Sequence, residues 1–196
     1  MGNKKVGDML QRFCLIITDI SIILLISVTL LFASDDPVAF EESFEINSLK
    51  QIAEAPEFTT NDLDGESVRL GDFKNRTVIV NFWATWCLPC VRELPRFEKL
   101  RQMIPADKYV ILAVNVRDRL NRVRKYLSGK EFQFKVLVDA DGAIYKAYNV
   151  TRFPTTVIIG PDGRLLAEIL GERDWTKRGF INYLNYLSTK GKGGEG

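Results

Sequence analysis

Cys87 and Cys90, separated by Leu88 and Pro89 in the run NFWATWCLPCVRELP (residues 81–95), carry the plainest capacity for chemistry in this chain. Two cysteines at that spacing serve a metal, a structural cross-link or redox exchange at sulfur. Structural zinc takes four ligands, usually Cys and His. The chain has no His, and its third cysteine, Cys14, lies in an apolar N-terminal segment, where it reads as inert. One Cys-x-x-Cys supplies half a site, so no metal is expected. A bridge across so small a loop removes little entropy from the unfolded chain, which argues against a purely structural disulfide. Redox exchange fits better. A strand ending at Trp83 and a helix starting near Cys87 place the first sulfur at a helix N-terminus, where backbone N–H groups and the dipole favour thiolate. Pro89 suits the first turn, where a missing N–H is no loss. Cys90, one turn on, is placed to attack a mixed disulfide formed at Cys87. The Cys87–Cys90 pair is itself the redox centre, and no further cofactor is expected.

Positioning that pair requires a scaffold. The TVIVNFW run (residues 77–83) reads as a buried strand, and residues 88–103 have helical spacing, with Val91, Leu94, Phe97 and Leu100 on one stripe. Before them, residues 57–70 predict two short strands around the turn signal Asp64-Gly65. After them come a strand over 109–115, an amphipathic helix over 117–127, a strand over 135–138 and a short helix through Tyr148. A strand over 155–159, the turn Pro161-Asp162-Gly163 and a strand over 165–170 lead to a last helix from about 174 to 187, with Asp174 as its cap. Strands alternating with helices, then a hairpin, predict an α/β domain with a mixed central sheet covered by helices on both faces. Its limits are set at residues 51–190, with a polar, Gly-rich tail over 191–196 expected to be disordered.

The 196 residues carry a formal charge of +2 with no long basic run, so nothing favours nucleic acid as a partner. Residues 1–34 differ from the rest. From 13 to 33 a helix at ~1.5 Å per residue would span roughly 31 Å, about the hydrocarbon thickness of a bilayer. Lys4, Lys5 and Arg12 precede this stretch, while Asp35, Asp36, Glu41 and Glu42 follow it. By the positive-inside rule the N-terminus stays in the cytoplasm and the remainder is exported. Residues 20–33 also have the length of a signal-peptide core, but bulky Leu31 is a poor fit to a cleavage site after Ala33. The balance favours an uncleaved anchor, with Asp19 near its cytoplasmic edge. Residues 35–50 read as a tether.

FWATWCLPC resembles the active site of the thioredoxin family, with Pro95 matching the proline of that family's active-site helix and Phe153-Pro154-Thr155 matching its cis-proline loop. The helix and strand over 117–138, the apolar N-terminus, the lead-in APEFTTNDLDGESVRLGDF and WCLPCVRELP are similar to the TlpA/ResA-like branch. The resemblance implies a thioredoxin fold with an N-terminal strand extension, Cys87 and Cys90 as the redox pair, and a substrate groove formed by Trp86, Phe153, Pro154 and Thr155. Asn81 departs from classical thioredoxin, which has a buried aspartate there. The branch instead carries a glutamate three residues after the second cysteine, matched by Glu93, on the helix face of Cys90. Arg152 stands where the branch often has a residue two before the proline without side chain, which alters the groove's shape and charge. Phe82 and Trp83 are expected in the core.

The function that follows is an exported, membrane-tethered thiol-disulfide oxidoreductase of periplasmic orientation that reduces protein disulfides. The resemblance further implies a membrane dithiol electron donor and a place in cytochrome c maturation. Two alternatives stand beside it. One is net thiol oxidation on the same fold, since spacing does not set the direction of exchange. The other is a non-catalytic binding module that uses the cis-proline groove.

Overall fold

The computed structural model describes Phe44, Ile46–Ser48 and residues 53–190. Its elements are β1 (Ile46–Ser48), β2 (Thr59–Asn61), β3 (Ser67–Arg69), β4 (Thr77–Trp83), α1 (Leu88–Met103), β5 (Tyr109–Val116), α2 (Leu120–Leu127), β6 (Lys135–Asp139), α3 (Ala143–Ala147), β7 (Thr155–Ile159), β8 (Leu165–Leu170) and α4 (Arg178–Lys190). Six strands form one sheet in the order β1-β8-β7-β4-β5-β6, and β2 pairs with β3 apart from it. β4, β5 and β6 are parallel, which demands crossovers that α1 and α2 supply. β7 runs antiparallel to β4 and turns back into β8 through Pro161-Asp162-Gly163, where Gly163 takes a φ of 84° that a side chain would strain.

β4 is buried at every position, as a continuous apolar and β-branched run with cover on both faces should be. Ile79 and Trp83 pack beneath α1, α2 and α4, through Leu94, Phe97, Leu100, Val123, Phe180, Tyr183 and Leu184. Val78, Val80 and Phe82 pack on the other face against the β2–β3 hairpin and α3, through Phe58, Val68, Ile144 and Tyr148. Each such large apolar side chain contributes about 1.5–3 kcal/mol by leaving water. The central strand is thereby held from both sides, and its C-terminal end is a fixed point.

Three elements differ from the sequence expectation. The helix expected from Arg117 starts at Leu120, because Arg117 has a φ of 60° and Asp118 gives its carboxylate to Thr85 N–H and Asn115 instead of capping the helix. The last helix starts at Arg178, not Asp174. Asp174 Oδ1 accepts from both Thr176 N–H and Thr176 O–H, closing a turn that precedes the helix. Ile46–Ser48, within the stretch expected to be a tether, adds an antiparallel strand to β8 in the register Ile46↔Ile169. Among the described residues no helix is long and apolar enough to cross a membrane. The expected anchor over 13–33, with Asp19 and Cys14, lies outside the described residues, as does the tail over 191–196.

Candidate active site

The site begins where β4 ends. Ala84 to Trp86 turn the chain, with Cys87 N–H bonded to Ala84 O at 3.1 Å, and α1 then starts with Cys87 as its N-cap. Cys87 keeps extended backbone angles, and its Sγ accepts the Cys90 N–H at 3.3 Å. That bond takes up one of the orphan donors of the first turn, and Pro89 removes another. Cys87 and Cys90 are joined in a disulfide. They differ in access: Cys87 is 6 % exposed and Cys90 is 0 % exposed. When the pair is reduced, the same N–H groups and helix dipole favour negative charge on the Cys87 sulfur.

Around Cys87 the surface is apolar. Trp86 and Leu88, its two neighbours in sequence, are 57 % and 64 % exposed. The Trp86 ring meets Phe153 edge-on at 5.8 Å, and Phe153 in turn meets Tyr145 at 5.9 Å. The Phe153–Pro154 peptide is cis. Ladder register brings this loop to the site: Thr155 pairs with Phe82 and Thr156 with Asn81, so β7 begins beside the strand that delivers the cysteines. Pro154 and Thr155 are buried, and Thr155 O–H donates to Arg152 O at 2.8 Å, closing the loop on itself. Trp86, Phe153, Pro154 and Thr155 thus adjoin one another, with Arg152 exposed at the rim.

Behind the disulfide lies a carboxylate. Glu93 is one turn beyond Cys90 on the buried stripe of α1 and is itself 0 % exposed. Its Oε1 accepts from Asn81 Nδ2 at 2.7 Å, and its Oε2 from Trp175 Nε1 at 3.1 Å and Arg173 N–H at 3.4 Å. Burial is the main influence and lifts the Glu93 pKa from 4.5 to about 7, against the pull of the three donors; the Glu172 charge adds to the rise. Glu172 is balanced by Arg92 and Arg96, which bond it at 2.5 and 3.0 Å. Among the described residues Glu93 forms no ion pair, and Arg173 Nε donates to Phe44 O at 3.0 Å. Asn81, also 0 % exposed, divides its amide N–H groups between Glu93 and Thr156 Oγ1, the latter at 3.0 Å.

Sequence spacing placed Cys87, Cys90 and Glu93 on one helix, but nothing in it pointed to Trp175. That residue lies 82 positions away and is locked by aromatic packing, stacked on Phe97 at 4.8 Å and edge-on to Phe180 at 4.9 Å. Asp118 was missed as well. It is 3 % exposed, and its Oδ2 holds Thr85 N–H at 2.8 Å and Asn115 Nδ2 at 3.1 Å, pinning the turn that leads into Cys87. Among the described residues, no group of three or more His, Cys, Asp or Glu is placed to hold a metal ion. The arrangement therefore supplies an accessible sulfur, a shielded sulfur and a buried carboxyl that changes charge near neutral pH.

The AhpC/TSA family matches residues 53–167. A thiol-disulfide oxidoreductase ResA from Bacillus thuringiensis subsp. konkukian is 34% identical over 148 residues, covering 76% of this chain and 82% of the relative. A putative thiol:disulfide interchange protein DsbE from Chlorobium tepidum superposes with a TM-score of 0.65 at 27% identity, over 72% of this chain and 99% of that one. The exposed lipoprotein thioredoxin Etrx1 of Streptococcus pneumoniae superposes with a TM-score of 0.61 at 27% identity, over 67% of this chain and 100% of that one.

Proposed function

The chain belongs to the AhpC/TSA family and to its ResA-like thiol-disulfide oxidoreductases, built on the thioredoxin fold, and on that premise we propose that it reduces protein disulfides outside the cytoplasmic membrane. The reduced enzyme attacks through the Cys87 thiolate. A Cys87–substrate disulfide forms, the substrate S–S bond breaks, and the departing sulfur takes a proton. Cys90 then loses its proton and attacks Cys87, the mixed disulfide breaks, and the second substrate sulfur leaves. Two electrons pass to the substrate and the enzyme ends as the Cys87–Cys90 disulfide.

The observation that carries this reading is the pairing of a fully buried Cys90 with a fully buried Glu93 whose pKa is about 7. In the second step Glu93 takes the Cys90 proton. Moving a proton from an ordinary thiol near 8.5 to an acceptor near 7 is uphill by about 2 kcal/mol; an ordinary carboxylate near 4.5 would make it more than about 5 kcal/mol. Burial thus turns a poor base into a serviceable one. Trp86, Phe153, Pro154 and Thr155 receive the substrate chain beside the sulfur. A dithiol donor in the membrane must restore the reduced pair after each turnover, and oxidised proteins of cytochrome c maturation are the proposed substrates.

The site is held outside by the apolar segment over 13–33, with the N-terminus in the cytoplasm and the domain facing the periplasm. Protease added outside the membrane should then remove a C-terminal tag, while the undigested chain keeps its full-length mass. The decisive experiment is Cys90→Ala in cells. It should accumulate mixed disulfides on Cys87 that reductant releases, and absence of such adducts, with Cys87 free, would refute the reductase reading.

A further inference from the structure

We propose that the substrate segment around the attacked disulfide is acidic as well as apolar: a polypeptide with an apolar side chain next to its cysteine and Asp or Glu flanking it. This rests on the reductase reading and names the substrate class for the same site. Among the described residues three large apolar side chains are exposed, and two of them, Trp86 and Leu88, stand on either side of Cys87. An apolar patch at the one accessible sulfur is a contact surface for apolar substrate side chains.

The charge around that patch is not balanced. Three segments adjoin the turn that carries Cys87, directly or through one another. Asp118 Oδ2 on Thr85 N–H at 2.8 Å ties the 117–119 loop to the cysteine turn. Trp86 on Phe153 and Phe153 on Tyr145 tie in the cis-proline loop and the start of α3. A Cβ placed on Gly142 would lie 3.4 Å from Arg117 Cγ and 2.4 Å from the Tyr145 ring, so the Arg117 stem lies beside that ring. Arg117, Arg119 and Arg152 sit on these loops, are exposed, and form no ion pair among the described residues. These loops and the end of β6 beside them carry three carboxylates, all engaged: Asp118 is buried with its two donors and lies 3.7 Å from Arg122, buried Asp139 accepts Ile144 N–H and Tyr145 N–H at 3.1 and 2.9 Å, and Asp141 Oδ1 accepts Ala143 N–H at 3.0 Å. Farther along α1, Arg92 and Arg96 are neutralised by the carboxylate of Glu172, with Asp174 also acting on Arg96.

In a chain whose formal charge is only +2, this gathers cations about one sulfur. Arg117 is held there at a cost. Its backbone is left-handed, a conformation that a side chain disfavours, and the Arg117 N–H bond to Asp139 O at 2.9 Å helps keep it. A positive rim attracts acidic segments and also favours the thiolate that attacks them.

The test compares two short peptides of matched length, each with one internal disulfide and an apolar residue beside its cysteine. One is flanked by Asp and Glu, the other by Lys and Arg, and the neutral 2-hydroxyethyl disulfide serves as reference. With the full chain kept reduced by dithiothreitol, kcat/KM for the acidic peptide should exceed that for the basic one by about 10-fold or more near 0.01 M salt. The ratio should collapse toward unity near 1 M salt, where the screening length falls from about 30 Å to about 3 Å. Arg117→Glu with Arg152→Glu should invert the ratio at low salt. Equal rates for the two peptides, a ratio indifferent to salt, or preference for the basic peptide would overturn the inference while reduction of 2-hydroxyethyl disulfide leaves the reductase reading standing. Failure to reduce that neutral disulfide would overturn the reading and the inference with it. The wild-type ratio needs no variant, so a misfolded double mutant does not affect the outcome.

Discussion

Glu93 and Asp118 are both buried carboxylates on the walls of one site, 0 % and 3 % exposed, and they are partnered in opposite ways. Asp118 holds a backbone N–H and an amide on a single oxygen and has the Arg122 guanidinium 3.7 Å from the other. Glu93 is met by an amide, an indole and one longer backbone bond, with no ion pair among the described residues and the Glu172 charge raising its pKa. A carboxylate given a cation and a short backbone donor is a fastening. One given neutral donors alone keeps its charge uncertain near neutrality, which is what moving a proton requires.

The sharpest break of that comparison is Glu93→Gln against Asp118→Asn. Loss of a general base should slow resolution of the Cys87 mixed disulfide by about 10²–10⁴-fold while iodoacetamide still labels Cys87 in preference to Cys90. Asp118→Asn should instead cost about 1.5–3 kcal/mol of stability through its weakened bond to Thr85, with the resolution step of the folded enzyme nearly unchanged. Single-turnover release of substrate thiol measures the first effect and denaturant titration the second. Equal resolution defects in the two variants would erase the distinction between them.

Next in size is a dependence of stability on pH. Glu93 has a folded pKa near 7, raised from 4.5, so between these values the folded chain binds the proton more tightly than the unfolded one. Its contribution is fully present below about pH 4.5 and is lost as pH rises through 7, a swing on the order of 3 kcal/mol. Unfolding free energies of wild type and Glu93→Gln, compared at pH 5 and pH 8, should show this swing only in the wild type.

Trp175→Phe sharpens the comparison by removing one donor from Glu93 and leaving the aromatic packing. A hydrogen bond to a charged group is worth about 1.5–3 kcal/mol, so the pH at which the resolution step changes should rise by roughly one to two pH units. Smallest is Arg122→Ala. Its side chain is 65 % exposed, so the pair with Asp118 should be worth no more than about 1 kcal/mol by denaturant titration, with no change in the pH profile of resolution.

Strands and helices with a continuous or periodic apolar signal were legible from residue types alone. β4, α1, β7 and β8 begin and end where the sequence predicts, because a buried run or a proline-marked turn leaves the chain little choice. The first turns of α2 and α4 fall later than the sequence predicts, because Arg117 takes a left-handed backbone and Asp174, a cap by residue type, spends its oxygen on Thr176. Ile46–Ser48 reads as tether in sequence, since three residues carry no period, and only the open edge of β8 makes them a strand. In the site, residues linked by one helix were visible as spacing. The groups that set the charge of Glu93 come from β4 and from the segment before α4, and long-range hydrogen bonds leave no mark in local sequence.

The pairing of β1 with β8 bears on how the domain keeps to itself. β8, with the sequence LLAEIL, would without β1 be an open, largely apolar edge beyond Leu165, whose N–H is held by Ala53 O at 2.9 Å. Such an edge recruits strands from neighbouring molecules, and proteins blunt it with short or covered outer strands. β1, three residues long, gives the edge that short ending. At the far side β2 lies over β6, through the Asp62↔Leu137 bridge and the Thr60 hydroxyl donating to Val138 O at 2.7 Å. A domain cut after Ser48 would keep every residue of the redox site and still be prone to stack edge to edge, so a soluble form intended for assay should begin ahead of Phe44.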